Sequence, residues 1–133
     1  MPQAAQPITA AGAADTLQAE FEKALALHQQ GNLDRAESVY RSILQQQPDQ
    51  SDALHFLGVV QAQRQNLTEA AALIGRAIEV DPDNAAAHSN YGNALKGLKR
   101  NEEALASYDR ALALDPEIVE ALNNRGVVLG DLG

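Results

Sequence analysis

The sequence contains no cysteine, and its aromatic side chains are limited to two phenylalanines and three tyrosines. Without cysteine there can be no disulfide framework, no thiolate metal site and no cysteine nucleophile. The shortage of aromatic residues, set against the abundance of alanine and leucine, favours helices over sheets. We therefore expect an all-α protein.

Basic residues are also in short supply. Lysine and arginine number 10 against 18 acidic residues, which gives a net charge of −8 at pH 7. Nucleic-acid binding requires a basic face, so this balance argues against nucleic acid as a partner. It argues more weakly against highly acidic peptides.

Long apolar runs are missing as well. No run approaches the ~18 residues of a membrane span. The N-terminal residues lack the basic start and apolar centre of a secretory signal. We expect a soluble cytoplasmic protein that binds no membrane.

What the sequence does contain is internal repetition with a period of 34 residues. The stretch from Ala87 to Pro116 holds two apolar-periodic segments joined by a polar run and closed by Asp-Pro. Its skeleton recurs one period earlier in the chain, since Ala87, Gly92, Ala104, Ala111 and Pro116 correspond to Ala53, Gly58, Ala70, Ala77 and Pro82. Self-similarity at a fixed period identifies a repeat array.

Each full unit is predicted to hold two helices, separated by a polar break. Gly31 can adopt the positive φ that ends a first helix, and asparagines at the breaks can cap the second helices. A proline ends each second helix, because it lacks a backbone donor. The predicted units are 17–50, 51–84, 85–118 and a partial unit 119–133.

Residues 1–15 are predicted to form a disordered N-terminal tail or a short linker from an upstream segment, because they are rich in alanine, glutamine and proline and have no amphipathic period. Asp15 or Thr16 is expected to cap the first helix. The repeat array then occupies residues 16–133.

A glycine recurs within the first helix of three units, at Gly58, Gly92 and Gly126. Glycine costs ~1 kcal/mol of helix propensity relative to alanine. Its recurrence therefore indicates that two helices pack closely at this position.

The units resemble tetratricopeptide repeats, which are 34-residue helix–turn–helix modules with small and aromatic residues at these spacings. The resemblance covers residues 17–133. It implies an all-α, right-handed α-solenoid of antiparallel helix pairs, with about three and a half units and seven helices. It also implies a non-catalytic function, in which the concave face binds proteins or extended peptide segments.

The resemblance places the groove-facing side chains at fixed positions of each first helix. An amide side chain carries both a donor and an acceptor, so a row of asparagines can hold a peptide backbone without reading its side chains. The alternative is that asparagine is merely tolerated on an exposed face. The candidate groove residues are His55, Phe56, Asn90, Asn93, Lys96, Asn123 and Asn124.

Chaperone-binding members of the family use a clamp of lysine, asparagine and arginine to hold a C-terminal carboxylate. The matching positions here carry Phe21, Leu25, Phe56, Ala86 and Asn90, so the clamp is absent. A co-chaperone function is therefore disfavoured.

The asparagines instead resemble the repeat arrays of bacterial O-GlcNAc-transferase-like glycosyltransferases, as does the run SNYGNALK. Only Asn90 and Asn124 occupy the ladder position, which Glu22 and Phe56 fill in the other two units. One alternative function is therefore a substrate-recruiting segment of a larger glycosyltransferase, with a catalytic domain after residue 133.

A second alternative is a structural scaffold that self-associates through an exposed C-terminal helix. No catalytic residue and no cofactor is expected in this chain. His55 and His88 fall on adjacent first helices, but two histidines without a further ligand make a poor metal site.

Overall fold

The computed structural model describes residues 10–133, which form helices joined by short turns. This part of the chain contains no strand, and the prediction of an all-α fold with seven helices is confirmed. The helices are α1 (Ala10–Gln29), α2 (Leu33–Gln46), α3 (Ser51–Gln63), α4 (Leu67–Val80), α5 (Ala85–Gly97), α6 (Asn101–Leu114) and α7 (Val119–Leu132).

The start of α1 corrects the predicted tail. Residues 10–15 belong to the helix, and only residues 1–9 of that tail lie outside the described residues. The alanine-rich stretch extends the helix, since alanine has the highest helix propensity. Thr16 does not cap α1, because its hydroxyl donates to the Gly12 carbonyl one turn earlier in the same helix.

The turns inside the units place one residue in the left-handed region. Gly31 has φ +79°, as predicted, but Gln65 and Lys99 adopt φ of 66° and 64° without being glycine. Asn32 caps α2 by accepting from the Arg35 amide. The capping prediction fails in the other units, because the Asn66 side chain makes no cap bond and Asn101 is the first residue of α6.

The turns between units follow the prolines. The helices α2, α4 and α6 each end two residues before Pro48, Pro82 and Pro116. The residue before Pro116, Asp115, is extended, because proline disfavours helical geometry in the residue that precedes it.

The two helices of a unit meet at the recurring glycine. A Cβ added at Gly58 would lie 2.5 Å from Cγ1 of Ile74, and one added at Gly92 would lie 2.6 Å from Cε1 of Tyr108. The large side chains of Ile74 and Tyr108 can therefore pack against the first helix of their unit only where that helix has a residue without a Cβ. The packing prediction is confirmed at Gly58 and Gly92.

Gly126 lies at the equivalent position of α7, and a Cβ there would meet no atom within 4 Å. The packing prediction is wrong at this residue, since no described helix crosses α7 there. The inner side of α7 does pack, with Val128 completely buried, whereas Leu122, Val127, Leu129 and Leu132 are about half exposed.

Each helix packs against the next one along the chain, and α5 also contacts α3 and α7. The first helices of successive units therefore lie side by side and form one continuous face. Among residues 10–133, no helix is long and apolar enough to cross a membrane.

Candidate binding groove on the first helices

The candidate groove is the face formed by α3, α5 and α7. His55 and Phe56 lie on α3, whereas Asn90, Asn93 and Lys96 lie on α5. The two remaining candidates, Asn123 and Asn124, lie on α7. Contact between neighbouring first helices brings five of the seven candidates into two adjoining hydrogen-bonded groups.

The first group is the pair formed by Asn90 and His55. The amide Nδ2 of Asn90 lies 2.9 Å from Nε2 of His55 across the α3–α5 interface. The His55 ring is 2% exposed and stacks on Phe56 with ring centroids 4.8 Å apart. The buried His55 ring therefore supports the Asn90 side chain, and the assignment of His55 to the groove remains a prediction.

The charge state of His55 is set by its burial. Burial lowers the pKa of His55 below its usual 6.5, and the nearby Asp52 carboxylate only partly opposes this shift. A neutral ring can accept the Asn90 amide through Nε2. Its Nδ1 is buried and has no hydrogen-bond partner among the described residues.

The second group is a hydrogen-bonded network centred on Asn93. Its Oδ1 accepts from the Tyr108 hydroxyl at 2.7 Å and from Nδ2 of Asn124 at 2.9 Å. Its Nδ2 donates to Glu120 at 3.1 Å. Lys96 completes the network by donating from Nζ to Oδ1 of Asn124 at 3.2 Å. These side chains are therefore ordered before any ligand arrives.

Two members of this network were not among the sequence candidates. Tyr108 is a buried residue of α6 whose hydroxyl reaches the groove. Glu120 is the second residue of the predicted partial unit 119–133 and lies in the first turn of α7. Burial raises the pKa of Tyr108, and the negative charge of Glu120 raises it further.

The remaining candidates lie apart from these hydrogen bonds. Phe56 is half-buried in an aromatic cluster, where it lies 5.7 Å from Phe21 and 6.4 Å from Tyr40 between ring centroids. Asn123 is exposed on α7 and hydrogen-bonds with no described side chain. Phe56 therefore contributes an apolar surface, and Asn123 offers a free amide.

Two pockets of about 260 Å³ each open on this face. Both are lined by Asn90 and Glu120, which form their common wall. The α3–α5 pocket is also lined by Val59, Ala62, Gln63, Ile74 and Asn93. The α5–α7 pocket is also lined by Ala85, Ala86, Ser89, Asp115 and Ile118.

The two histidines on adjacent first helices do not form a joint site. A ring nitrogen of His88 contacts the Pro82 carbonyl at 2.7 Å, whereas His55 contacts Asn90. Residues 10–133 hold no group of three or more histidine, aspartate or glutamate side chains that could bind a metal ion.

A seven-helix array of antiparallel pairs with polar side chains along its first helices defines a helical-repeat protein. Three family models for tetratricopeptide repeats match the chain, at residues 27–89, 73–106 and 92–133. The chain belongs to the tetratricopeptide repeat family. Repeats of this family generally mediate protein–protein interactions.

Solved structures give the same result. The repeat region of the Thermobaculum terrenum O-GlcNAc transferase is 34% identical with a TM-score of 0.84, and the match covers 87% of this chain but 22% of that protein. The first repeat domain of Spaghetti (RPAP3), solved with the HSP90 peptide SRMEEVD, is 23% identical with a TM-score of 0.83, over 87% of this chain and 92% of that one.

A third similar structure is MamA from Desulfovibrio magneticus RS-1, which is 22% identical with a TM-score of 0.80, over 87% of this chain and 66% of that one. No curated protein matches the chain. In all, 284 chains of solved structures match it. A fold this common does not specify a partner, which depends instead on the side chains of the groove.

Proposed function

We propose that the chain is a non-catalytic binding module that holds an extended protein segment on the face formed by α3, α5 and α7. The observation that carries this proposal is the position of Asn90 between the two pockets. His55 fixes its Nδ2, while its Oδ1 hydrogen-bonds with no described residue. An amide held in this way presents an acceptor to a peptide N–H, and the pre-ordering lowers the entropic cost of binding.

The network around Asn93 supports the same proposal. Asn93 and Asn124 are already hydrogen-bonded to each other and to Lys96 and Glu120. They supply a hydrogen-bonded polar surface beside Asn90, while the exposed Asn123 offers further hydrogen bonds. A segment that lies across α5 and α7 can therefore be held through its backbone.

A neutral ten-residue peptide of alanine, serine and glutamine tests this proposal, with binding followed by NMR titration of the labelled protein. The wild-type amides of α3, α5 and α7 are expected to shift. The double variant Asn90→Ala/Asn124→Ala should bind about tenfold more weakly, because it loses two hydrogen bonds.

Stability must be controlled in this experiment, because Asn90→Ala also leaves buried His55 without its partner. Ile43→Val is a suitable control, since it removes one buried methylene on α2 at an expected cost of about 1 kcal/mol and does not touch the groove. Equal binding by the double variant and by Ile43→Val would overturn the proposal.

A second candidate function is a substrate-recruiting segment of a larger O-GlcNAc-transferase-like glycosyltransferase. The 34% identity to the Thermobaculum terrenum enzyme favours it, although this chain spans only 22% of that enzyme's length. The test is the reading frame after the codon for residue 133. A glycosyltransferase domain encoded there would support this function, and a stop codon or an unrelated domain would exclude it.

A third candidate is a self-assembling scaffold. The half-exposed apolar side chains on the outer side of α7, among them Leu122, Val127 and Leu132, favour contact with a second copy. Mass in solution tests this function. A mass that rises with concentration would support it, and a concentration-independent monomer would exclude it.

A further inference from the structure

The α3–α5 pocket combines an apolar floor with a charged wall. Val59 and Ala62 are half-buried and Ile74 is fully buried, so the floor is aliphatic. Glu120 and the amides of Asn90 and Asn93 form the rim. Lysine and arginine have an aliphatic stem that packs on apolar surface and a charged head that reaches a polar rim. The α3–α5 pocket is likewise divided into an apolar floor and a polar rim, so it fits a side chain of this kind.

The charge around both pockets is negative. Neither lining contains lysine or arginine, and Glu120 and Asp115 both belong to the α5–α7 pocket. Glu120 makes no ion pair with a described residue, and its one hydrogen bond comes from Asn93. Lys96, on the same helix as Asn93, is held by Asn124. Pockets lined by one sign of charge attract the opposite sign.

The α5–α7 pocket provides an independent sign of a missing ligand group. Ser89 lines this pocket and is 3% exposed, and its hydroxyl has no hydrogen-bond partner among the described residues. A buried polar group without a partner is destabilising, so a small or polar ligand group beside Ser89 is favoured over a large apolar one.

The two pockets adjoin each other, so that one extended chain can reach both. They share the wall formed by Asn90 and Glu120, so they are immediate neighbours. In an extended chain, side chains two positions apart point to the same side, about 7 Å from each other. Neighbouring pockets can therefore take residues i and i+2 while Asn90 holds the backbone between them.

From these observations we infer that the partner is an extended segment that carries a lysine or arginine. The basic side chain lies in the α3–α5 pocket with its stem on Val59 and its charge beside Glu120. The residue two positions away is small or polar and enters the α5–α7 pocket beside Ser89. This inference rests on the proposed backbone binding and adds the chemical class of the partner.

The test uses three ten-residue peptides of alanine, serine and glutamine that differ only at one central residue, which is arginine, norleucine or glutamate. Each is titrated into the full chain, and the amide shifts of α3, α5 and α7 give the dissociation constant. The arginine peptide should bind best and the glutamate peptide worst. Glu120→Gln should weaken the arginine peptide roughly two- to fivefold and remove its advantage over norleucine.

Glu79→Gln is the matched control, because it removes the same charge from an exposed site at the end of α4 that lines neither pocket. It should leave all three affinities unchanged. Groove shifts with equal affinity for the arginine and norleucine peptides would overturn the inference and leave the proposed function standing. An absence of groove shifts with all three peptides would overturn both.

Discussion

The hydroxyl of Tyr108 donates a 2.7 Å hydrogen bond to Oδ1 of Asn93, so a residue of the repeat skeleton positions a residue of the groove. The tyrosine ring packs over α5 at Gly92, where a Cβ would stand 2.6 Å from Cε1. In the first unit the Tyr40 hydroxyl lies 3.5 Å from Nδ1 of His28. In both units one tyrosine therefore has two roles, because its ring packs between the helices and its hydroxyl contacts a polar side chain of the first helix.

This coupling predicts that Tyr108→Phe reduces stability even though the ring remains in place. Loss of the hydroxyl removes one donor from Asn93 and should lower the free energy of unfolding by about 0.5–1.5 kcal/mol. Tyr40→Phe is the matched control and should cost less, because its contact with His28 is longer. Urea unfolding measures both. A larger loss for Tyr40→Phe than for Tyr108→Phe would contradict the coupling.

Alanine at two equivalent glycines should change stability in opposite directions. Gly92→Ala forces a methyl group against the Tyr108 ring and should destabilise the protein by about 1–3 kcal/mol. Gly126→Ala meets open space and gains helix propensity, so it should stabilise by up to about 1 kcal/mol. Thermal melting of the two variants checks this. Shifts of the same sign would show that the crossing at Gly92 is not tight.

The turn residues give a third prediction. Gln65 and Lys99 occupy the left-handed region, which costs a residue with a side chain about 1–2 kcal/mol and costs glycine nothing. Lys99→Gly should therefore stabilise the protein by up to about 1 kcal/mol, after the larger entropy loss of glycine is subtracted. Gly31→Ala, at the equivalent turn, should destabilise it. Urea midpoints of the two variants should move in opposite directions.

Stability should decline at alkaline pH because of the two buried tyrosines. Burial raises the pKa of Tyr40 from 10.0 to about 12, and the pKa of Tyr108 moves in the same direction. At a pH between 10 and 12, Tyr40 has lost its hydroxyl proton in the unfolded chain but keeps it in the folded chain. The free energy of unfolding should therefore fall as the pH rises from 10 to 12, and this contribution is fully present below pH 10.

Urea unfolding at a series of pH values measures this decline. The double variant Tyr40→Phe/Tyr108→Phe should show a shallower slope above pH 10, since neither position can then ionise. Identical slopes in the wild type and the double variant would show that other groups cause the alkaline loss.

The helices and their crossings could be read from the sequence because they depend on local rules. A 34-residue period, prolines at the unit ends and glycines at the helix crossings of the second and third units are properties of residue type and spacing. The start of α1 could not be read in the same way, because alanine-rich residues 10–15 have high helix propensity but no amphipathic period. The family resemblance identified Asn90, Asn93 and Asn124 as candidates. It did not indicate which of their amide groups are already hydrogen-bonded within the protein.

Sequence alone therefore determined the repeat, the helix pairs and the class of protein, since each follows from periodic packing between neighbours. Only the tertiary structure decided that His55 is buried beneath Asn90, and that Asn93 is held by Tyr108. The packing of α7 against α5 likewise places Glu120 between the two pockets. Hydrogen-bond partners so far apart along the chain depend on how helices pack in space, which the repeat pattern does not specify.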